Sequence, residues 1–436
     1  MKLAAIDLRF TGALDALGPQ ARELLLQRAA SQDAGIAKSV AAMIARVRAE
    51  GDGALREYAR TFDHVELEAL EVPRAVWDAA LARTPGAVRA ALERAAAALA
   101  AAHRAQLPRE VVIEVEPGVT VARRPDALAR IGVYAPGGRA AYPSSVLMGV
   151  VPARVAGVGE VIVCSPPGPT GLPSDAVLAA AAIAGADRVF ALGGAGAVAA
   201  MAFGTASVPS VDRIVGPGNA YVAEAKRQLA GMVPIDSPAG PSELVVLVDA
   251  LSDPVLAACE MIAQAEHDPD ACAVAFAVGD EASNALVQAL AAAVPLAARR
   301  EVVGQAFARQ GGVLRVPTRA AAIAAANAYA PEHLLVLLAD PDAALGELRN
   351  AGAIFLGPSS SVAFGDYRSG GNHVLPTGGA ARAWSGLGVL DCMRWTSWQH
   401  VTPEGAARLA ADTARLAEFE GLPGHAAAAR TWEVRS

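Results

Sequence analysis

Aromatic side chains make up only 5% of the 436 residues, and the four cysteines, Cys164, Cys259, Cys272 and Cys392, are far apart with no C-x-x-C pair. That spacing argues against a thiolate zinc knuckle and gives no disulfide framework, so all four are read as buried small hydrophobes. No window of about twenty residues is apolar enough to span a bilayer. The N-terminal MKLAAIDLRF carries Asp7 and Arg9 where a secretory signal needs an unbroken apolar core, which makes the cytoplasm the expected location. There is no basic stripe either. Net charge is −7 with Lys and Arg scattered, so neither nucleic acid nor a membrane is an expected partner. What abounds is aliphatic bulk: 53% of the residues are hydrophobic, enough for a large core and two or more domains.

From Ala21 to about Ala105, apolar residues recur at three- and four-residue spacing around Arg and Glu, as in helices, with a break at Gly51-Asp52-Gly53. At Ile131 the texture changes to short β-branched runs alternating with helical segments (IGVYAP, EVIVCSPP, RVFALGG, DRIVGPG). That order predicts a parallel sheet with helices on its faces and ligands at the carboxyl ends of its strands, where Tyr134, Gly194 and Asn219 fall. A second α/β stretch opens with ELVVLVD at Glu243 and a helix from Asp253, which can cap it, with Pro254 in its first turn. Beyond Leu387 one or two helices and a polar tail are expected. The fold class is therefore α/β, with two Rossmann-like lobes of parallel βαβ units and small helical ends. The expected divisions are an N-terminal segment 1–27, a first lobe of 28–130 with 242–386, a second lobe of 131–241, and a tail domain of 387–436.

Four polar segments stand out. Gln264 and His267 are three apart near a helix end and lie on one face. In YAPEHLLV, Pro331 calls for an extended residue before it and opens a helix or strand presenting Glu332 beside His333, a pairing suited to acid–base work because one group can hold a proton while the other takes one. FGDYRSGGNHVLPTGG offers Asp366 and His373 on a glycine-dense loop. FEGLPGH carries Glu420 and His425 near the C-terminus, where a tail can reach a neighbouring subunit. Gln264, His267, Asp366 and His425 form an N/O set that could bind one divalent cation, zinc being the natural choice for imidazole plus carboxylate.

Read in order, IGVYAPGGRAAYPSSVLM, AAMAFGT, IVGPGNAYVAEAKRQ, AGPSELVV, AQAEHDPD, YAPEHL, GDYRSGGNHVLPTGG and FEGLPGH resemble the motifs of the histidinol dehydrogenase family over nearly the whole chain. The resemblance implies an enzyme of histidine biosynthesis that oxidises L-histidinol to L-histidine in two NAD-dependent steps. It implies one zinc per subunit on Gln264, His267, Asp366 and His425, the last donated across an intertwined homodimer. Glu332 and His333 would be the acid–base pair. Ser242, His333, His373 and Glu420 would contact substrate together with the zinc ligands, and Tyr134 and Asn219 would contact NAD.

Two positions depart from the family pattern. Gly196, in GGAGAV, stands where the family has a glutamine that contacts NAD, and losing that amide hydrogen bond, worth about 0.5–1.5 kcal/mol, predicts weaker NAD binding. The change creates a G-x-G-x-x-A string, but the carboxylate expected at the end of the following strand is missing. Gly149 replaces the usual asparagine after VLM. His64, His103 and His400 lie outside every motif and are assigned no role. Rival readings are a related zinc and NAD alcohol dehydrogenase acting on another substrate such as a sulfonated propanediol, and a zinc hydrolase using Glu332 as base.

Overall fold

The protein is described here by a computed structural model that covers residues 6–28, 34–137, 141–238 and 240–433. Of the motif residues, Gly138, Arg139, Ala140 and Ala239 lie outside the described residues. The chain builds a mixed α/β fold around two parallel sheets.

The smaller sheet has four strands in the order Arg188–Ala191, Glu160–Ser165, Arg130–Tyr134 and Arg213–Val215, all parallel. Its strand direction of travel across the sheet reverses between Arg130–Tyr134 and Arg213–Val215, which opens a crevice at their carboxyl ends. The larger sheet has six parallel strands, Phe10–Ala13, Gly312–Val316, Cys272–Val278, Glu243–Val248, His333–Val336 and Ala353–Leu356. Its reversal point lies between Glu243–Val248 and His333–Val336. Glu243–Val248 is buried at every position, which explains its unbroken apolar run after Glu243.

Three features differ from the sequence expectation. The helices between Ala34 and Ala105, grouped by sequence with the larger sheet, bury Val40, Val47, Leu55, Trp77 and Leu99 in the same core as the smaller one. The 1–27 segment is not purely helical, since Phe10–Ala13 pairs with Gly312–Val316 as an edge strand. And the tail holds a nine-residue strand, Met393–Val401, antiparallel to Val119–Ala127, which in turn pairs with Val111–Glu116. Two helices, Pro403–Phe419 and Pro423–Arg430, follow it.

The glycine at 149 has a packing reason. A Cβ there would lie 2.5 Å from Val133 Cγ1, so the Pro143–Ala156 helix can press onto the Arg130–Tyr134 strand only without a side chain at that point. Of the cysteines, Cys164, Cys272 and Cys392 are buried as expected, whereas Cys259 is exposed on the Pro254–Ala265 helix. Among the described residues no helix is long and apolar enough to cross a membrane.

Candidate active site

The strand His333–Val336 places Glu332 and His333 at the amino edge of the larger sheet, not at the carboxyl edge where open sheets usually gather ligands. Pro331 lies two residues ahead of this strand. The residue before that proline, Ala330, is not extended as expected but left-handed at φ 53°, and it terminates the Arg319–Tyr329 helix. Both acid–base side chains are buried, and the backbone of Glu243 on the neighbouring strand holds them. Its N–H donates to Glu332 Oε2 at 2.7 Å, and its carbonyl lies 3.2 Å from His333 Nδ1. With Nδ1–H committed to that carbonyl, His333 Nε2 is the atom free to exchange a proton. Nε2 lies 3.3 Å from Asp366 Oδ1 without hydrogen-bond alignment and has no other partner among the described residues.

Asp366 sits on a short helix, Val362–Tyr367, rather than on a glycine loop. Burial works against its charged form, yet the imidazoles of His333, His373 and His267 together hold its carboxyl below the usual range. Burial likewise disfavours the charged His333 ring, but Glu332 and Asp366 outweigh it and raise its pKa to about 10. His373 is pushed down by burial, and its ring bridges Asp366 C=O at 2.8 Å from Nδ1 and Ser145 Oγ at 3.3 Å from Nε2. Ser145 belongs to the Pro143–Ala156 helix and Asn372 donates to Met148 C=O of that helix at 2.8 Å, so the His373 loop bridges the two sheets.

Gln264, at the end of the Pro254–Ala265 helix, is 3% exposed, and its side-chain nitrogen has no partner among the described residues. His267 turns Nδ1 back to Gln264 C=O at 3.1 Å, which leaves Nε2 available. The oxygen of a buried amide, a free imidazole nitrogen and a carboxylate are ligand types a zinc ion can take, so these residues fit the implied metal. Among the described residues no three or more His, Cys, Asp or Glu side chains cluster as a metal site. Ser242 is half-buried beside Glu243. Glu420, just after the Pro403–Phe419 helix, and His425, on the Pro423–Arg430 helix, are exposed, and neither bonds to the Asp366 group among the described residues.

Sequence reading missed the support behind the pair. The Glu243 carboxylate accepts from Arg28 Nε at 2.9 Å, Arg28 Nη2 at 3.1 Å and Gly378 N–H at 3.0 Å, and the Arg28 guanidinium lies 3.2 Å from the Tyr329 ring centroid. An acid opening an otherwise apolar strand was the available signal.

At the carboxyl edge of the smaller sheet, buried Tyr134 accepts from Gly194 N–H at 3.1 Å, and burial pushes its phenol up to about 12. Asn219 caps the Ala220–Leu229 helix, its Oδ1 accepting from Tyr221 and Val222 N–H, so its amide NH2 stays free. The turn before it is clamped from behind. Buried Lys226 pairs with Asp236 and donates to Gly216 C=O at 3.0 Å, while Asp236 accepts from Gly216 N–H at 2.8 Å. Gly216 has φ 111°, and a Cβ would meet Tyr134 C=O at 2.1 Å, so only glycine lets the turn approach. A crevice with a free amide, a phenol and a glycine turn suits a dinucleotide.

A sequence model of the family described as histidinol dehydrogenase matches residues 26–432. The chain belongs to the histidinol dehydrogenase family. The histidinol dehydrogenase of Methanosarcina barkeri is 43% identical over 413 residues, 94% of this chain and 95% of that one. That of Bordetella parapertussis is 46% identical over 410 residues, 93% of each. The crystal structure of histidinol dehydrogenase from Elizabethkingia anophelis superposes with a TM-score of 0.93 at 30% identity, covering 99% of both chains. Against the histidinol dehydrogenase pattern, Gly196 is the notable departure. It is buried in the Gly194–Phe203 helix, and a Cβ would lie 2.9 Å from Tyr58 Cδ2.

Proposed function

We propose that this chain oxidises L-histidinol through L-histidinaldehyde to L-histidine in two successive NAD-dependent steps. The observation that carries the reading is the buried Glu332–His333 pair at the strand edge, with Asp366, His373 and His267 gathered around it. Gln264, His267 and Asp366 would hold zinc, with His425 supplied by the partner of a homodimer, and Tyr134 and Asn219 would hold NAD. When bound, zinc would grip the imidazole and amino nitrogens of the substrate, and NAD would accept hydride.

The chain's own groups move the protons. His333 Nε2 takes the alcohol proton in the first oxidation. The ring becomes available as a base once a cation occupies Asp366, because the carboxylate that helps hold its proton is then neutralised. Glu332, steadied by the Glu243 N–H, takes a proton from the water that adds to the aldehyde. Ser242, His373 and Glu420 orient the substrate. The smaller sheet would serve as the cofactor lobe and the larger one as the acid–base lobe.

Adding histidinol and NAD to the purified protein should form NADH, with two NADH per histidine released. A chelator should abolish the signal and zinc should restore it. No NADH from histidinol in the zinc-loaded protein would remove the reading.

A further inference from the structure

The G-x-G-x-x-A string at residues 194–199 lacks the acidic residue that a following strand supplies in dinucleotide folds. The structure brings a carboxylate to that neighbourhood from another part of the chain. The Asp52–Tyr58 helix runs into a wide turn, Ala59–Asp63, which ends where His64 adopts a left-handed φ of 59°. This turn lies against the outer edge of the smaller sheet, where a short cleft at the carboxyl end of the Arg188–Ala191 strand is lined by Tyr58, Asp63, Leu192, Gly193 and Gly196.

Asp63 is half-buried in that cleft and has no hydrogen-bond or ion-pair partner among the described residues. Burial pushes its carboxyl up to about 6, with His64 the opposing influence. Its charge acts on the Tyr134 phenol, the group that receives Gly194 N–H. A half-buried carboxylate with no protein partner among the described residues keeps its oxygens open to a donor that enters the cleft. The donor must fit a narrow slot beside a glycine turn that opens a helix, the place where a dinucleotide's phosphates approach backbone N–H groups. Vicinal ribose hydroxyls are donors of that size.

We propose that Asp63 accepts hydrogen bonds from the adenosine ribose hydroxyls of the cofactor and so selects NAD over its 2′-phosphorylated form. The inference rests on the NAD-dependent reading above and names the residue that discriminates. Carboxylate and hydroxyl form a charge-assisted pair, whereas a 2′-phosphate would meet the same carboxylate as a like charge.

Equilibrium binding, measured calorimetrically on the zinc-loaded protein without substrate, tests it. NAD should bind the unmodified protein more tightly than an analogue lacking the adenosine 2′-hydroxyl, by roughly tenfold to a hundredfold. NADP should bind more weakly still. Asp63→Asn should erase most of the difference between NAD and the deoxy analogue and narrow the gap between NAD and NADP. A structural role alone would weaken all three ligands together. Equal binding of NAD and the deoxy analogue to the unmodified protein overturns the proposal, and this arm needs no variant to fold. An Asp63→Asn protein that folds but keeps the full preference also overturns it. No binding of NAD at all would sink the NAD-dependent reading along with it.

Discussion

Arg28 and Glu243 stand 215 residues apart in sequence and meet with side-chain exposures of 5% and 2%. An ion pair so deeply buried offers little net stability compared with apolar packing, but removing one partner strands the other. Arg28→Met should therefore destabilise the protein by about 3–5 kcal/mol in urea unfolding, and adding Glu243→Gln should recover most of the loss. Equal loss in single and double variants would show that Arg28 acts by packing alone. His333 makes a second prediction at this scale. Its pKa in the folded, cation-free protein is raised from 6.5 to about 10, so its stabilising contribution is complete below the unfolded value and is lost as pH rises through the folded one. The urea midpoint of chelated protein should accordingly fall between about pH 6.5 and 10, and His333→Gln should flatten that part of the profile. A midpoint that holds steady or climbs across the window in the unmodified protein would contradict the charged ring between Glu332 and Asp366.

The helix Gly194–Phe203 shows what one element can hide from sequence reading. Gly196 suggested weakened NAD binding through a missing amide, yet the Tyr58 ring, whose hydroxyl bonds Met43 C=O at 3.2 Å, stands where that side chain would begin. Gly196→Gln should overpack this contact, at a cost of about 1–3 kcal/mol partly offset by the better helix propensity of glutamine. Its melting temperature should drop and its NAD affinity should not rise. Tighter NAD binding with unchanged melting would restore the simpler view. Elements whose apolar pattern faces a core were legible: the alternating strands and helices after Ile131, the Asp253 cap and the break at Gly51 all stand where the pattern placed them. The antiparallel sheet was not, because Val111–Glu116 is exposed at all six positions and Met393–Val401 at most of its own, so no buried face imposes a period. The motifs singled out Glu332, His333, Asp366 and His373, which the fold brings together. The Arg28–Glu243 clamp and Asp63 were not legible, since each depends on contacts between segments far apart in sequence.

At the scale of the molecule, the exposed apolar side chains are informative. Val111, Val112, Ile113 and Val115 are each more than half exposed on one strand, and Leu416 and Phe419 stand at 66% and 93% on the helix that leads to His425. Exposed apolar surfaces of this kind mark contact with another molecule, and in the proposed homodimer that molecule is a second copy. The arrangement makes a prediction about sites rather than about surfaces. If His425 completes the partner's metal set, then His267→Ala and His425→Ala damage opposite contributors to the same site, and each homodimer should be inactive. In a mixed dimer, the site on the His425→Ala protomer receives an intact His425 from the His267→Ala protomer and keeps its own His267. One site in two is then whole. Random assembly of equal amounts makes about half of all dimers mixed, so co-expression should restore roughly a quarter of the full activity. Mixing the separately purified homodimers should restore much less until subunits exchange. Were His425 to serve its own chain's site, the mixed dimer would contain no intact site, and co-expression would recover nothing.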